Sequence, residues 1–278
     1  MASRNYEWKN YIPEGIANGA IKKWHDELNS EDRIQTCASP STLLDCPRVV
    51  WLRKHKVPST NEMGWGKKQR LLLGRVLENQ IADQFKHAGI LLWHWKDDVA
   101  GESVKFEHGK GLDRLAGTGD LLLEYGEHVA MSDAKTSRSD SFLYVPIAQD
   151  EVFADYFWYK YKLQVTAYYM LAHWNKDWFK ENELPLPDIC HLFSYALDDG
   201  IVRRDFTWTP TKEDATEILR LVRQWNVAYQ SEVMPDCTCQ EHEGKGVLFC
   251  RYGVMEKGKN VCTSCCDSEL ANLIKKEK

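Results

Sequence analysis

Gly117-Thr118-Gly119-Asp120-Leu121-Leu122-Leu123-Glu124-Tyr125-Gly126-Glu127-His128-Val129-Ala130-Met131-Ser132-Asp133-Ala134-Lys135 is the stretch on which the fold turns. Two apolar runs, residues 120–125 and 128–134, flank Gly126-Glu127 and predict a β-hairpin. Asp120 opens the first strand and Asp133 ends its neighbour, so both carboxylates can reach one ion. Lys135 follows Asp133 by two residues and therefore shares its strand face. Carboxylates suit the hard ions Mg²⁺ or Mn²⁺. Two carboxylates, a lysine and such an ion are the minimum needed to activate water and hydrolyse a phosphodiester.

Outward from the hairpin, helices and strands alternate. Upstream, Leu71, Gly74, Glu78, Ile81 and Phe85 fall on one face of a helix predicted over 67–87. Glu78 is the one charge on that stripe; it is either a third carboxylate for the ion or a paired helix residue. Ser39-Pro40-Ser41 reads as a helix start carrying Cys46 and Arg48, and residues 6–30 as one or two helices. Residues 91–95 and 104–107 read as strands, and Thr136–Asp140 as a polar loop. Downstream come a helix over 155–174, a hairpin of 190–196 and 201–208, and a helix over 211–229. Helices on a mixed sheet make an α/β (α+β) domain. Gln164 and Tyr168 share a helical face beside the stripe Leu163, Ala167, Met170 and Trp174. That position predicts the lip of a cleft, suited to contacts with a sugar-phosphate backbone.

The acid-x-Lys triplet alone discriminates little, because the chain carries it at Glu7-Trp8-Lys9, Asp133-Ala134-Lys135 and Glu243-Gly244-Lys245. Only the middle one ends an apolar strand and follows a Gly-x-Gly-Asp. The plain alternative for it is a surface salt bridge at a hairpin end.

Composition sets wider bounds. The 278 residues are 28% charged and 43% hydrophobic with a net charge of −5, as in ordinary globular proteins. An acidic total does not exclude a local basic groove for nucleic acid. No apolar run reaches the roughly 18–20 residues of a membrane span, and no secretory signal is visible, so the expected setting is cytoplasmic with no membrane partner. Of nine cysteines, Cys237, Cys239, Cys250, Cys262, Cys265 and Cys266 crowd into the tail, which in a reducing compartment points to metal ligation.

The ordered set Gly74…Glu78, Gly119-Asp120, Asp133-Ala134-Lys135 and Gln164-x-x-x-Tyr168 resembles the PD-(D/E)XK nuclease superfamily. The likeness is to its RecB-like exonuclease branch, which includes CRISPR-associated adaptation nucleases and phage recombination exonucleases. It spans roughly residues 41–229. It implies a restriction-endonuclease-like mixed β-sheet flanked by helices and a Mg²⁺- or Mn²⁺-dependent deoxyribonuclease. By that likeness Glu78, Asp120 and Asp133 are ligands, Lys135 positions water, and Gln164 and Tyr168 handle DNA. The implied division is an N-terminal helical segment (1–40), a nuclease core (41–230) and a Cys-rich metal-binding tail (231–278). Two departures stand out: Glu78 sits where the iron–sulfur members carry His, and Asp133 where Glu is commoner.

Ser41-Thr42-Leu43-Leu44-Asp45-Cys46-Pro47-Arg48 also resembles the start of the iron–sulfur subgroup, and Cys250-Arg251-Tyr252 its Cys-x-Tyr element. By that likeness Cys46 would join tail cysteines such as Cys239, Cys250 and Cys265 around a [4Fe–4S] cluster. The tail spacing departs from the subgroup and equally suits a structural Zn²⁺ or no metal. Cys37 and Cys190 read as buried thiols.

The expected activity is a DNA exonuclease acting on linear or single-stranded ends, with recombination or replication proteins as partners. The rivals are a structure-selective endonuclease and a non-catalytic DNA-binding module. Lys54-His55-Lys56 and Lys67-Lys68-Gln69-Arg70 are basic runs near Trp51, Trp65 and Trp95, any of which could stack on a base or belong to the core.

Overall fold

Leu121-Leu122-Leu123 and Ala130-Met131 are apolar on both sides of their strands because helices cover both faces of the sheet they form. The computed structural model describes residues 35–57, 65–95, 104–137, 148–196, 200–238, 254–256 and 259–261. The chain divides into a unit Met1–Thr36 and a unit Cys37–Lys278. The elements below lie in the second.

A 3-10 turn at Pro40–Thr42 leads to α1 (Pro47–Lys54), α2 (Trp65–His87), β1 (Leu91–His94) and β2 (Phe106–His108). After a second such turn at Gly111–Asp113 come β3 (Leu115–Gly117), β4 (Leu121–Tyr125) and β5 (His128–Ser137). Then follow α3 (Gln149–Ala154), α4 (Tyr156–Trp174), α5 (Lys176–Glu181), β6 (Ile189–Ala196), β7 (Val202–Trp208) and α6 (Lys212–Gln230). β8 (Val254–Glu256) and β9 (Lys259–Val261) form a small hairpin.

Five strands make one mixed sheet in the order β1-β4-β5-β6-β7. Only β5 and β6 run parallel, which requires a long crossover; residues 138–188, carrying α3, α4 and α5, supply it. β2 and β3 form a separate two-stranded ribbon. Ile81, Ala82 and Phe85 of α2 pack on Leu121, Leu123 and Phe193 on one face. The larger core lies on the other, where α4 meets Leu122, Met131, Leu192 and Phe206. Among the described residues no helix is long and apolar enough to cross a membrane.

The local chemistry of the boundaries is plain. Asp155 caps α4 by accepting from the Phe157 amide at 2.9 Å, and Thr211 with Asp214 closes a capping box on α6. The helix expected to begin at Ser39 is instead two pieces: Ser39 and Thr42 close a 3-10 turn, and Pro47 starts a fresh helix at its first turn. Cys46 thus becomes the N-cap residue of α1 and does not ride on it. Thr136 and Ser137, expected in a loop, extend β5 because Tyr195 and Ala196 pair with them. The helices expected within residues 6–30 lie outside the described residues.

Buried Asn226 of α6 ties the start of the core to its end. Its Oδ1 accepts from the Ala38 amide at 3.0 Å, and its Nδ2 donates to the carbonyls of Leu112 and Arg114 at 2.9 and 2.8 Å. Asn226→Ala would leave three backbone groups unsatisfied and is expected to lose about 2 kcal/mol of stability. Urea unfolding reads this directly, and a loss below about 0.5 kcal/mol would show that water replaces the amide.

Candidate active site

β4 and β5 are antiparallel with Leu121 opposite Ser132 and Leu122 opposite Met131, so the next rung sets Asp120 against Asp133. Side chains alternate along a strand, and both carboxyls therefore project to the α4 side, like Leu122 and Met131. Asp120 is 2% exposed and Asp133 0%. The glycines ahead of Asp120 are sterically required. A Cβ on Gly117 would lie 2.6 Å from the Pro40 ring and 3.1 Å from Tyr168, and one on Gly119 would lie 3.1 Å from Trp95.

Lys135 Nζ lies 2.5 Å from Asp133 Oδ2 and 4.7 Å from the centre of the Tyr161 ring, a cation over an aromatic face. Asp120 approaches Asp133 within hydrogen-bonding reach. Burial pushes the Asp133 carboxyl well above the usual carboxylate range; Lys135 opposes this and Asp120 adds to it. For Lys135, burial disfavours the ammonium, but Asp133 and Asp120 outweigh it and hold its pKa above the ordinary value. Among the described residues no donor reaches Asp133 Oδ1, which is fully buried. An orphaned carboxylate oxygen beside a second acid is the donor set a hard cation takes.

Gln164 and Tyr168 join this site from α4, but not at a lip: they are 8% and 7% exposed. The helix has buried residues at every position from Leu163 to Ala167, so its apolar stripe does not mark one buried side. Gln164 hydrogen-bonds Tyr168. Burial raises the Tyr168 hydroxyl far above its ordinary pKa, and Asp120 and Asp133 add to it, so the phenol stays protonated and faces the acids.

Glu78 is half-buried on α2, one turn after Gly74, whose Cα side approaches the Thr136 hydroxyl. Its charge reaches Tyr168. Among the described residues, however, no three His, Cys, Asp or Glu side chains gather closely enough to hold a metal. Ile81, Ala82 and Phe85 of α2 pack on the face of the sheet opposite the Asp120–Asp133 pair.

Cys46 Sγ lies 3.7 Å from Cys237 Sγ, joining the entry to α1 with the segment after α6. Arg48 Nε reinforces the junction by donating to the Pro235 carbonyl at 3.0 Å. Cys239, Cys250 and Cys265 lie outside the described residues. Cys37 and Cys190 are buried thiols, as expected.

The stacking expectations change. Trp51 and Trp95 are buried in the protein and cannot stack on a base; the side chain of Trp65 lies outside the described residues, as do those of Lys67, Lys68 and Arg70. Lys54 is occupied structurally, over the Tyr229 ring at 5.5 Å and donating to the Ser231 carbonyl at 3.5 Å.

No family model matches the sequence, and no curated protein matches it. Among solved structures the chain is similar to the crystal structure of SSO0001. The two share 16% identity over 85% of this chain and 93% of that one, with a TM-score of 0.49.

Proposed function

We propose that this chain is a metal-dependent DNA exonuclease with a restriction-endonuclease-like fold, of the RecB-like branch of the PD-(D/E)XK superfamily. The observation that carries the reading is the buried pair Asp120 and Asp133 with Lys135 Nζ at 2.5 Å from Asp133. Burying two acids together is unfavourable, and a fold keeps such an arrangement where positive charge arrives with the substrate or an ion. Asp120 and Asp133 would hold Mg²⁺ or Mn²⁺, and Glu78 would join through its reach toward Tyr168. The ion, when bound, lowers the pKa of a bound water and neutralises charge on the phosphate.

The chain's own residues do the rest. Lys135, kept cationic by its two acids, orients the attacking water and offsets negative charge as it develops at phosphorus. Tyr168 keeps its proton and donates to a phosphate oxygen, with Gln164 fixing its ring direction. The same residues could cut terminal or interior bonds, so the substrate decides the class. Purified protein with end-labelled linear DNA and closed circular DNA, in Mn²⁺, Mg²⁺ or EDTA, is the test. Metal-dependent loss of linear DNA alone is expected; cutting of the circle makes it an endonuclease. A non-catalytic DNA-binding module is the second reading, in which Asp120 and Asp133, 2% and 0% exposed, are an ordinary buried pair. Binding without cleavage in any metal would establish it.

The cysteine junction fits a metal clamp. Cys46 Sγ lies 3.7 Å from Cys237 Sγ, and by the resemblance Cys46 would help hold a [4Fe–4S] cluster or, alternatively, a structural Zn²⁺. Cys46→Ala should lower Tm by roughly 5 °C or more and release the metal, read by elemental analysis of the purified protein. An unchanged Tm and metal content would remove Cys46 from the clamp; iron with visible absorbance would identify the cluster, and zinc the structural ion.

A further inference from the structure

Two rungs along the sheet from Asp133, a polar row crosses three strands on the same face. Lys135 on β5 pairs in register with Ser194 on β6, and Ser194 with Arg204 on β7. Their neighbours along each strand, Asp133, Leu192 and Phe206, fix the side: Leu192 and Phe206 belong to the core under α4. Cys190 and Leu192, the alternate residues before Ser194 on β6, are core residues. A hydroxyl breaks the pattern at Ser194, which is 0% exposed and whose Oγ has no hydrogen-bond partner among the described residues. An unsatisfied buried hydroxyl costs stability, so its presence beside the acidic pair needs a reason outside the free protein.

The other end of the row is shaped as well. The β6–β7 register shifts between Ser194 and Tyr195, so that Val202 pairs with Tyr195 while Arg204 pairs with Ser194. Arg203 is the extra residue of a bulge, a device that re-aims a side chain and is frequent beside active sites. Arg204 is half-buried, on the same face as Lys135.

We propose that Ser194 and Arg204 form a second phosphate-binding position, which takes the phosphodiester next to the one facing Asp133 and Lys135. The inference rests on the nuclease reading and adds the direction of the bound strand, across the sheet from β5 toward β7. Adjacent strands are about 4.8 Å apart, which puts the β7 backbone about 10 Å from β5. That separation lets Arg204 meet a neighbouring phosphate along the strand while Lys135 faces its own. Ser194 Oγ donates between the two, and the guanidinium of Arg204 takes the charge.

Ser194→Ala and Arg204→Gln test this by binding of a fluorescein-labelled single-stranded oligonucleotide, followed by anisotropy in Ca²⁺ and in EDTA from low to high salt. Arg204→Gln is expected to weaken binding about tenfold and to reduce the slope of log affinity against log salt by about 0.7, the value of one lost phosphate contact. Arg204→Lys should restore the slope. Ser194→Ala should weaken binding threefold or more and yet raise Tm by roughly 2–4 °C, because it removes an orphan hydroxyl from the free protein. A structural role for Ser194 would move Tm the other way. Wild-type affinity and slope in both variants would overturn the second position alone. No wild-type binding in either buffer would overturn the nucleic-acid reading and this inference with it.

Discussion

If the chain is the proposed nuclease, Lys135→Ala is expected to lower the cleavage rate by roughly 10²–10⁴-fold while DNA affinity stays within about threefold of wild type. The expectation follows from where the lysine sits. Its Nζ is 2.5 Å from Asp133 Oδ2 and 4.7 Å from the centre of the Tyr161 ring. On the proposed reading it acts at the reacting phosphate, so its loss falls on the rate more than on overall affinity. Lys135→Arg does not rescue, because the guanidinium is planar and longer and cannot sit over Tyr161 in the same place. Cleavage of labelled linear DNA in Mn²⁺ checks the rate and anisotropy checks binding. A variant that cuts at the wild-type rate would remove the site from the reading.

Asp133→Asn changes how stability responds to metal and to pH together. At a divalent-ion concentration about 100 times the dissociation constant, ligand linkage raises wild-type stability by about 2.7 kcal/mol, and the variant should gain almost none. The pH effect has a definite sign. The Asp133 carboxyl is raised above its unfolded value of 3.8. Its contribution is therefore fully present below that value and is lost as pH rises through the higher folded pKa. In EDTA, Tm of Asp133→Asn minus that of wild type should grow as pH climbs above about 4, since the amide carries no such loss. Saturating Mn²⁺ should close or reverse the gap. Melting curves in a pH series with EDTA or Mn²⁺ provide both readings; a flat difference and no metal shift would leave Asp133 as an ordinary buried acid.

The parts of the fold legible in the sequence were those with unambiguous periods and punctuation. Gly126 at φ 61 turns the β4–β5 hairpin as its residue type predicts, and Asp155 and Thr211 cap the helices they were expected to open. β3 was not legible, because Leu115–Gly117 is three residues long and pairs with β2 only through tertiary placement. The lip assigned to Gln164 and Tyr168 failed for a related reason: a helix covered on most of its circumference has no polar stripe to read. Asp120, Asp133 and Lys135 could be grouped from strand alternation alone. Ser194 could not, since one hydroxyl in an apolar strand acquires meaning only when register lays it beside Lys135.

The hydrogen bond from Ala38 to Asn226 spans 188 residues of chain. A growing polypeptide emerging from the ribosome therefore makes β4 and β5, with their two acids, long before the α6 side chain that fastens the first strand-like segment exists. Closure of such a long loop is entropically slow, and the partly assembled sheet waits with apolar surface uncovered.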